Sequence, residues 1–441
     1  MKREIKFKQT EIGMIPEEWE VGNFHNDLVV KGRIGWRGYT ISDLKKEGPI
    51  VLGGENIKSF FYIDYSNVKH LSKEKYDESP EIQLKPNDVL LVTRGNLGEV
   101  AHFKGEFKEV TINPSIVILS NFKGDSKFLY YFLISPTGKT SINSIKSGSS
   151  VPAIYQSEVK KIRYPKPPLP EQRAIAKILS DLDVKVELNQ QMNKTLEEIG
   201  QAIFKHWFID FEFTNEEGEP YKSSGGEMVY NEELGKEIPK VWEVSNIGKE
   251  LKTILGGTPS RERKEYWING NIPWINSGEI NKFPIIDATE YITPDALKNS
   301  ATQLMPKRTV VLPFVISINK QISISILGTE VCGNQSVLGI VEKQGLPSEY
   351  IYYWVEHMKK DIYSWATGGA QQHINKTNVD KTKILIPSKD VMQNYSRIVR
   401  QIFDLVIKNS LEVKTLSQIR DVLLPKLMSG KIRVPLEEEN G

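Results

Sequence analysis

A disulfide framework and a multi-cysteine zinc site are both excluded, because the 441-residue chain carries a single cysteine, Cys332. Long apolar runs are missing as well. No stretch approaches the roughly 18 to 20 residues that a membrane span requires, and the opening MKREIKFKQTEIG lacks the apolar core of a secretory signal. The expectation is a soluble, cytoplasmic protein with no membrane partner. Charge of one sign is also lacking: 58 Lys and Arg stand against 56 Asp and Glu, a net charge of +2. No global basic field marks a nucleic-acid partner, so any such contact must come from local patches. Catalytic spacings are absent too. His25, His70, His102, His206, His357 and His373 form no HExxH or other metal-ligand pattern. Thr137-Gly138-Lys139-Thr140 ends like a phosphate loop, but Leu133 stands where that loop needs its first glycine. Asn113-Pro114-Ser115 lacks the second proline and the aromatic with which an adenine methyltransferase holds a flipped base, so it reads as a turn before a strand.

What the chain does contain is a duplication. Trp19-Glu20-Val21 returns as Trp242-Glu243-Val244, 223 positions on. Asn113-Pro114-Ser115 returns as Asn334-Gln335-Ser336 at an offset of 221, and Tyr130-Tyr131 as Tyr352-Tyr353 at 222. Gly148, Ile154, Val159 and Thr195-Leu196 answer Gly368, Ile374, Val379 and Thr415-Leu416 at a steady 220. Order and spacing hold although identity is sparse, and a repeat of this length sets the architecture.

Each copy has a globular part and a helical part. Residues 1–165 and 235–387 mix short β-branched runs, such as Val89 to Thr93 and Val310 to Val315, with Gly, Pro and Asn turns and one short helical pattern. Residues 166–213 and 388–436 carry apolar residues at helical spacing with few glycines. Between them, 214–234 is rich in Glu, Gly and Ser and reads as a flexible connector. The fold class expected is α+β: two globular mixed α/β domains alternating with two long helices that pair as an antiparallel coiled coil, a pseudo-two-fold internal repeat. Asn189 and Asn409 occupy corresponding a positions of an imperfect heptad. A buried asparagine there fixes register at a cost in stability, so the two are expected to meet at the centre of the pair. The alternative places both on solvated helix faces.

Gly256-Gly257-Thr258-Pro259-Ser260, then Tyr266-Trp267, Ile272-Pro273-Trp274 and Ser277-Gly278-Glu279-Ile280, resembles the opening of a target recognition domain in the specificity subunits of Type I restriction-modification enzymes. Pro168-Leu169-Pro170-Glu171-Gln172-Arg173-Ala174-Ile175 is similar to the entry into that family's spacer helix. The resemblance runs over about 10 to 434, and departs where Lys31-Gly32-Arg33 stands for Gly256-Gly257-Thr258 and where Val391-Met392-Gln393 stands for Glu171-Gln172-Arg173. It implies a non-catalytic subunit that binds double-stranded DNA and reads a bipartite sequence, one half-site per recognition domain. It also implies two modification (methyltransferase) subunits and restriction (translocase/nuclease) subunits as partners. The chain itself would bind no cofactor: S-adenosylmethionine, ATP and Mg would be used by those partners. A helix of this length spans about 55 Å at 1.5 Å per residue, and so sets two readers roughly one to one and a half DNA turns apart.

Specificity requires side chains able to pair with base edges, and affinity requires cations on phosphates. The early loop offers Lys31, Arg33 and Arg37 in the first copy, and Arg261, Arg263 and Lys264 in the second. A second loop offers Arg94 and Asn96, facing Asn319 and Lys320. A third offers Ser149 and Gln156, facing Gln371, Gln372, His373 and Lys376. Two other readings remain open from sequence: a non-catalytic coiled-coil scaffold and a self-contained DNA modification enzyme.

Overall fold

The computed structural model describes residues 5–33, 38–58, 63–148, 152–317, 322–343, 345–364, 366 and 371–435. It divides into two compact units, Met1–Val186 with Thr415–Gly441, and Glu187–Lys414. Each unit joins one globular copy to portions of both long helices.

The same antiparallel four-stranded sheet stands at the centre of each unit. In the first its order is Val29–Gly32, Ile116–Ser120, Val89–Val92 and Val100–His102; in the second, Lys252–Leu255, Val337–Val341, Val310–Pro313 and Ser325–Ile326. Both faces are covered, which is why the central strands read as continuous apolar runs rather than as alternation. The period of two then divides the side chains between two cores. Val89, Leu91, Val117 and Leu119 pack against the helix Ser126–Ile134 and against Ile175 and Leu179 of the first long helix. Leu90, Val92, Ile116 and Ile118 face Ile50, Leu52, Val110 and Ile112 of a second sheet. The second unit repeats the division, with Val310, Leu312, Leu338 and Ile340 toward the helix Ser348–Ser364 and Val311 and Val337 toward Ile275 and Val331. The tight turn before the central strand is also repeated, with Asn87 at φ 75° and Arg308 at φ 73°.

A β-pair closes each globular copy before its long helix begins: Glu20–Asn23 with Arg163–Lys166, and Glu243–Asn246 with Lys383–Ile386. The first long helix runs Leu169–Phe204 and continues as a π-type turn, Lys205–Ile209; the second runs Lys389–Met428. In each unit the two pair antiparallel. In the first, Asp183 accepts from Arg420 Nη1 at 3.0 Å. In the second, Asn189 Nδ2 donates to Glu412 Oε2 at 3.0 Å and Asn409 Nδ2 donates to Asn193 Oδ1 at 3.0 Å.

Both register asparagines are buried, but they take different partners rather than each other. Asn193 completes the seam by donating to Ser410 Oγ at 2.9 Å and to the Val406 carbonyl at 3.3 Å. The connector also differs from the flexible segment expected over 214–234. Asn215 Oδ1 accepts from the amides of Glu217 and Glu219, Tyr221 stacks on Phe213 at 4.6 Å, and Met228–Asn231 pairs with Lys236–Pro239 as a hairpin. Phe213 beside the polar run and Tyr221 within it supply the packing that its composition concealed. Among the described residues no helix is long and apolar enough to cross a membrane.

Candidate nucleic-acid interface

Three loops come together at one end of the central sheet in each unit, held by the same backbone bonds. In the first unit the Thr93 amide donates to the Ser115 carbonyl at 2.7 Å, and the Ile154 amide donates to the Thr93 carbonyl at 3.1 Å. In the second, Phe314 donates to Ser336 at 2.7 Å and Ile374 donates to Phe314 at 3.1 Å. These bonds tie the second and third candidate loops to the turn ahead of an edge-adjacent strand. That turn is an Asx turn in both copies: Asn113 Oδ1 accepts from the Ser115 amide, and Asn334 Oδ1 from the Ser336 amide. Asn113-Pro114-Ser115 is therefore the turn that its sequence indicated.

The first unit places Arg94, Gly95 and Asn96 at an exposed tip, with Gly95 at φ 77°, a conformation glycine adopts without strain. Gln156 sits over Gly32, whose added Cβ would lie 2.6 Å from Gln156 Nε2, so the third loop also meets the first. Tyr155 beside it is exposed. Lys31 is half-buried on the sheet strand, opposite Ile118. Arg33 is not available to DNA. It is 6% exposed, with Nε donating to the Ile112 carbonyl at 2.9 Å and Nη2 to Thr111 Oγ1 at 3.3 Å, and its guanidinium lies 5.5 Å from the Tyr39 ring centre. Burial holds its pKa below the ordinary guanidinium value. Arginine at that position braces the second sheet rather than the surface. Arg37 and Ser149 lie outside the described residues.

In the second unit the glycine motif is a scaffold. The Gly256 and Gly257 amides donate to the Val337 and Gly333 carbonyls, and a Cβ would meet the Asn334 carbonyl oxygen at 2.1 Å from Gly256 and Ala301 at 2.7 Å from Gly257. Trp274 Nε1 donates to the Gly257 carbonyl at 3.1 Å, and Thr258 Oγ1 donates to Gln335 Oε1 at 2.6 Å. The loop is thus pinned to the Asn334–Ser336 turn. Arg261, Arg263 and Lys264 follow it and are exposed. Arg263 Nη1 donates to Tyr266 Oη at 2.6 Å. Arg261 forks onto Glu290, which raises its pKa through that hydrogen bond and lowers that of the carboxylate.

The second and third loops here form a ribbon. Val315, Ile316 and Ser317 pair with His373, Gln372 and Gln371. The side chains of Gln371 and Gln372, and all of Asn319 and Lys320, lie outside the described residues. His373 is exposed, whereas Lys376 is ion-paired to Asp380 at 2.7 Å. Sequence reasoning missed Glu290, Gln335 and Ser115. The Asn-x-Ser repeat pointed to the last two, while Glu290 meets Arg261 only after Ile272–Ile275 pairs with Glu290–Ile292. No group of three or more metal-ligating side chains occurs among the described residues. Thr137-Gly138-Lys139-Thr140 lies in the helix Pro136–Ser144, where a Cβ at Gly138 would stand 2.0 Å from the Phe132 carbonyl oxygen.

Two α+β units with equivalent loop clusters, together with two long helices, define a duplicated recognition scaffold. The chain belongs to the family of the Type I restriction modification DNA specificity domain, whose model matches residues 35–198 and 239–420. It is 29% identical over 444 residues to the Type I restriction enzyme MjaIX specificity subunit of Methanocaldococcus jannaschii, covering 98% of this chain and 97% of that one. To the HindI specificity subunit of Haemophilus influenzae it is 25% identical over 429 residues, covering 85% and 91%. The crystal structure of a Type-I restriction-modification system S subunit from M. genitalium shares the fold, with a TM-score of 0.60 at 17% identity over 93% of this chain and 96% of that one. Membership makes this a specificity subunit rather than a catalytic one.

Proposed function

We propose that the chain reads a bipartite DNA sequence, one half-site with the loop cluster of each unit, and that the paired helices fix the unread gap between the halves. The observation that carries this reading is the duplication of the loop anchorage. Thr93–Ser115–Ile154 and Phe314–Ser336–Ile374 make the same two backbone bonds while the surrounding side chains differ. A shared frame with divergent loops is what two different half-sites require.

In this reading the subunit holds two modification subunits, which methylate adenine using S-adenosylmethionine, and restriction subunits, which use ATP and Mg to translocate and cleave DNA. Apolar side chains left exposed on both helices support docking there: Leu188, Met192, Ile199, Ile398, Leu405 and Leu411 in the second unit, and Ile178, Val184, Ile419 and Val422 in the first. Of the sequence candidates, Arg94, Asn96, Gln156, Arg261, Arg263, Lys264 and His373 carry exposed side chains, which supports their use as DNA contacts. Mapping methylated adenines in DNA carried with this chain tests the reading. A split motif with a constant gap is expected, and an uninterrupted motif would contradict it.

A further inference from the structure

Among the described cations of the candidate surface, Arg261 is the most completely built. Its guanidinium carbon lies 3.6 Å from the ring centre of Trp267 and 5.0 Å from that of Trp274. Trp267 meets Trp274 edge-on at 5.1 Å and 88°, and its Nε1 donates to the Ser260 carbonyl at 3.1 Å. Trp274 is 3% exposed and anchored to Gly257. The cation therefore rests against an edge-to-face tryptophan pair, whose ring faces attract it. Glu290 then closes one side of it, with Nη1 to Oε1 at 2.5 Å and Nη2 to Oε2 at 2.9 Å.

Guanidinium geometry gives that pairing a consequence. It has five N–H donors, and two forked edges face outward from the side chain. Glu290 occupies the Nη1/Nη2 edge and leaves the Nε/Nη2 edge, itself a parallel two-donor fork. Two donors at that spacing match O6 and N7 of guanine in the major groove. An exposed carboxylate beside a polyanion weakens binding, so its presence has to be offset by what it orders. Extending the DNA-reading assignment of the second unit, on which this step rests, we propose that Glu290 is a specificity-determining positioning residue: it locks Arg261 on Trp267 so that the Nε/Nη2 edge reads a guanine in the second half-site.

The test uses the chain assembled with its modification subunits, on DNA carrying each single base-pair change in the half-site read by the second unit. Glu290→Gln is expected to lose about tenfold discrimination at one G·C position. It should also bind non-specific DNA more tightly at low salt, because a negative charge has gone. Arg261→Lys, which keeps the charge but lacks the fork, is expected to lose the same discrimination with an unchanged salt slope. Unaltered discrimination in both variants, or an equal loss at every position, overturns the proposal. If the assembly with the natural sequence shows no selectivity at all, the reading of the second unit as a DNA reader fails with it.

Discussion

The two units solve one packing problem in opposite ways. Beneath each globular copy a tryptophan meets the start of a long helix and a residue beyond the end of the other. In the first unit Trp19 Nε1 donates to Glu171 Oε2 at 2.9 Å, and Arg433 donates to the same carboxylate at 2.6 and 3.1 Å. In the second, the positions 220 further or earlier hold Val391 and Phe213. Phe213 stacks on Trp242 at 4.8 Å and 25°, and among the described residues the buried Trp242 Nε1 has no hydrogen-bond partner. Where the helices cross the globular copies the contrast recurs. Tyr131 donates to Asp183 at 2.6 Å beside Arg420, whereas Tyr353 donates to the Glu197 carbonyl at 3.1 Å beside Gly200, the counterpart of Arg420. The backbone is duplicated, but at these two junctions the first unit is tied by buried ion pairs and the second by aromatic packing and close approach, although the second unit buries an ion pair of its own elsewhere, Glu349 with Arg308. A buried ion pair holds only while both members are present, so at these two junctions the first unit is more sensitive to loss of a single charge than the second.

The largest expected effect follows from that asymmetry. Arg420 is 3% exposed, and burial already raises the Asp183 pKa despite its bonds to Tyr131 and Arg420. Arg420→Ala should destabilise the first unit by about 3 kcal/mol, read as lost hydrogen-exchange protection over 126–134 and 169–186 with the second unit unchanged. Gly200→Ala attacks the matching place by overpacking. Its Cβ would lie 2.2 Å from Tyr353 Oη, so about 2 kcal/mol should be lost from the second unit alone. Equal protection loss in both units from either variant would break the comparison. The finest test is the tryptophan pair. Trp19→Phe should cost about 1 kcal/mol by leaving Glu171 one donor short, while Trp242→Phe, which deletes an unpartnered N–H, should cost less by about half in thermal melts.

The repeat and the two helices were legible because they rest on order and periodicity, which survive sparse identity. The loop clusters were legible for a related reason: Asn113 and Asn334, three residues from their strands, mark the turns to which the loops are tied. What escaped was buried charge. Arg33 and Arg420 look like surface cations by residue type, yet each is buried against partners far off in the chain. Glu412 interrupts the apolar heptad by residue type, and becomes a seam residue only when the facing helix supplies Asn189, as Asn193 does when it supplies Asn409. Composition likewise marked 214–234 as flexible, because stacking of Tyr221 on Phe213 is invisible to a count of Gly, Ser and Glu. Pairing specified by the fold cannot be read from one strand of the pair alone.

The central claim is that two independent readers share one frame. Replacing residues 243–387 with the corresponding domain of another specificity subunit, then mapping methylated adenines, tests it most directly. The account predicts that one half of the split motif changes while the other half and the gap length stay fixed. A change in both halves, or in the gap, would contradict it.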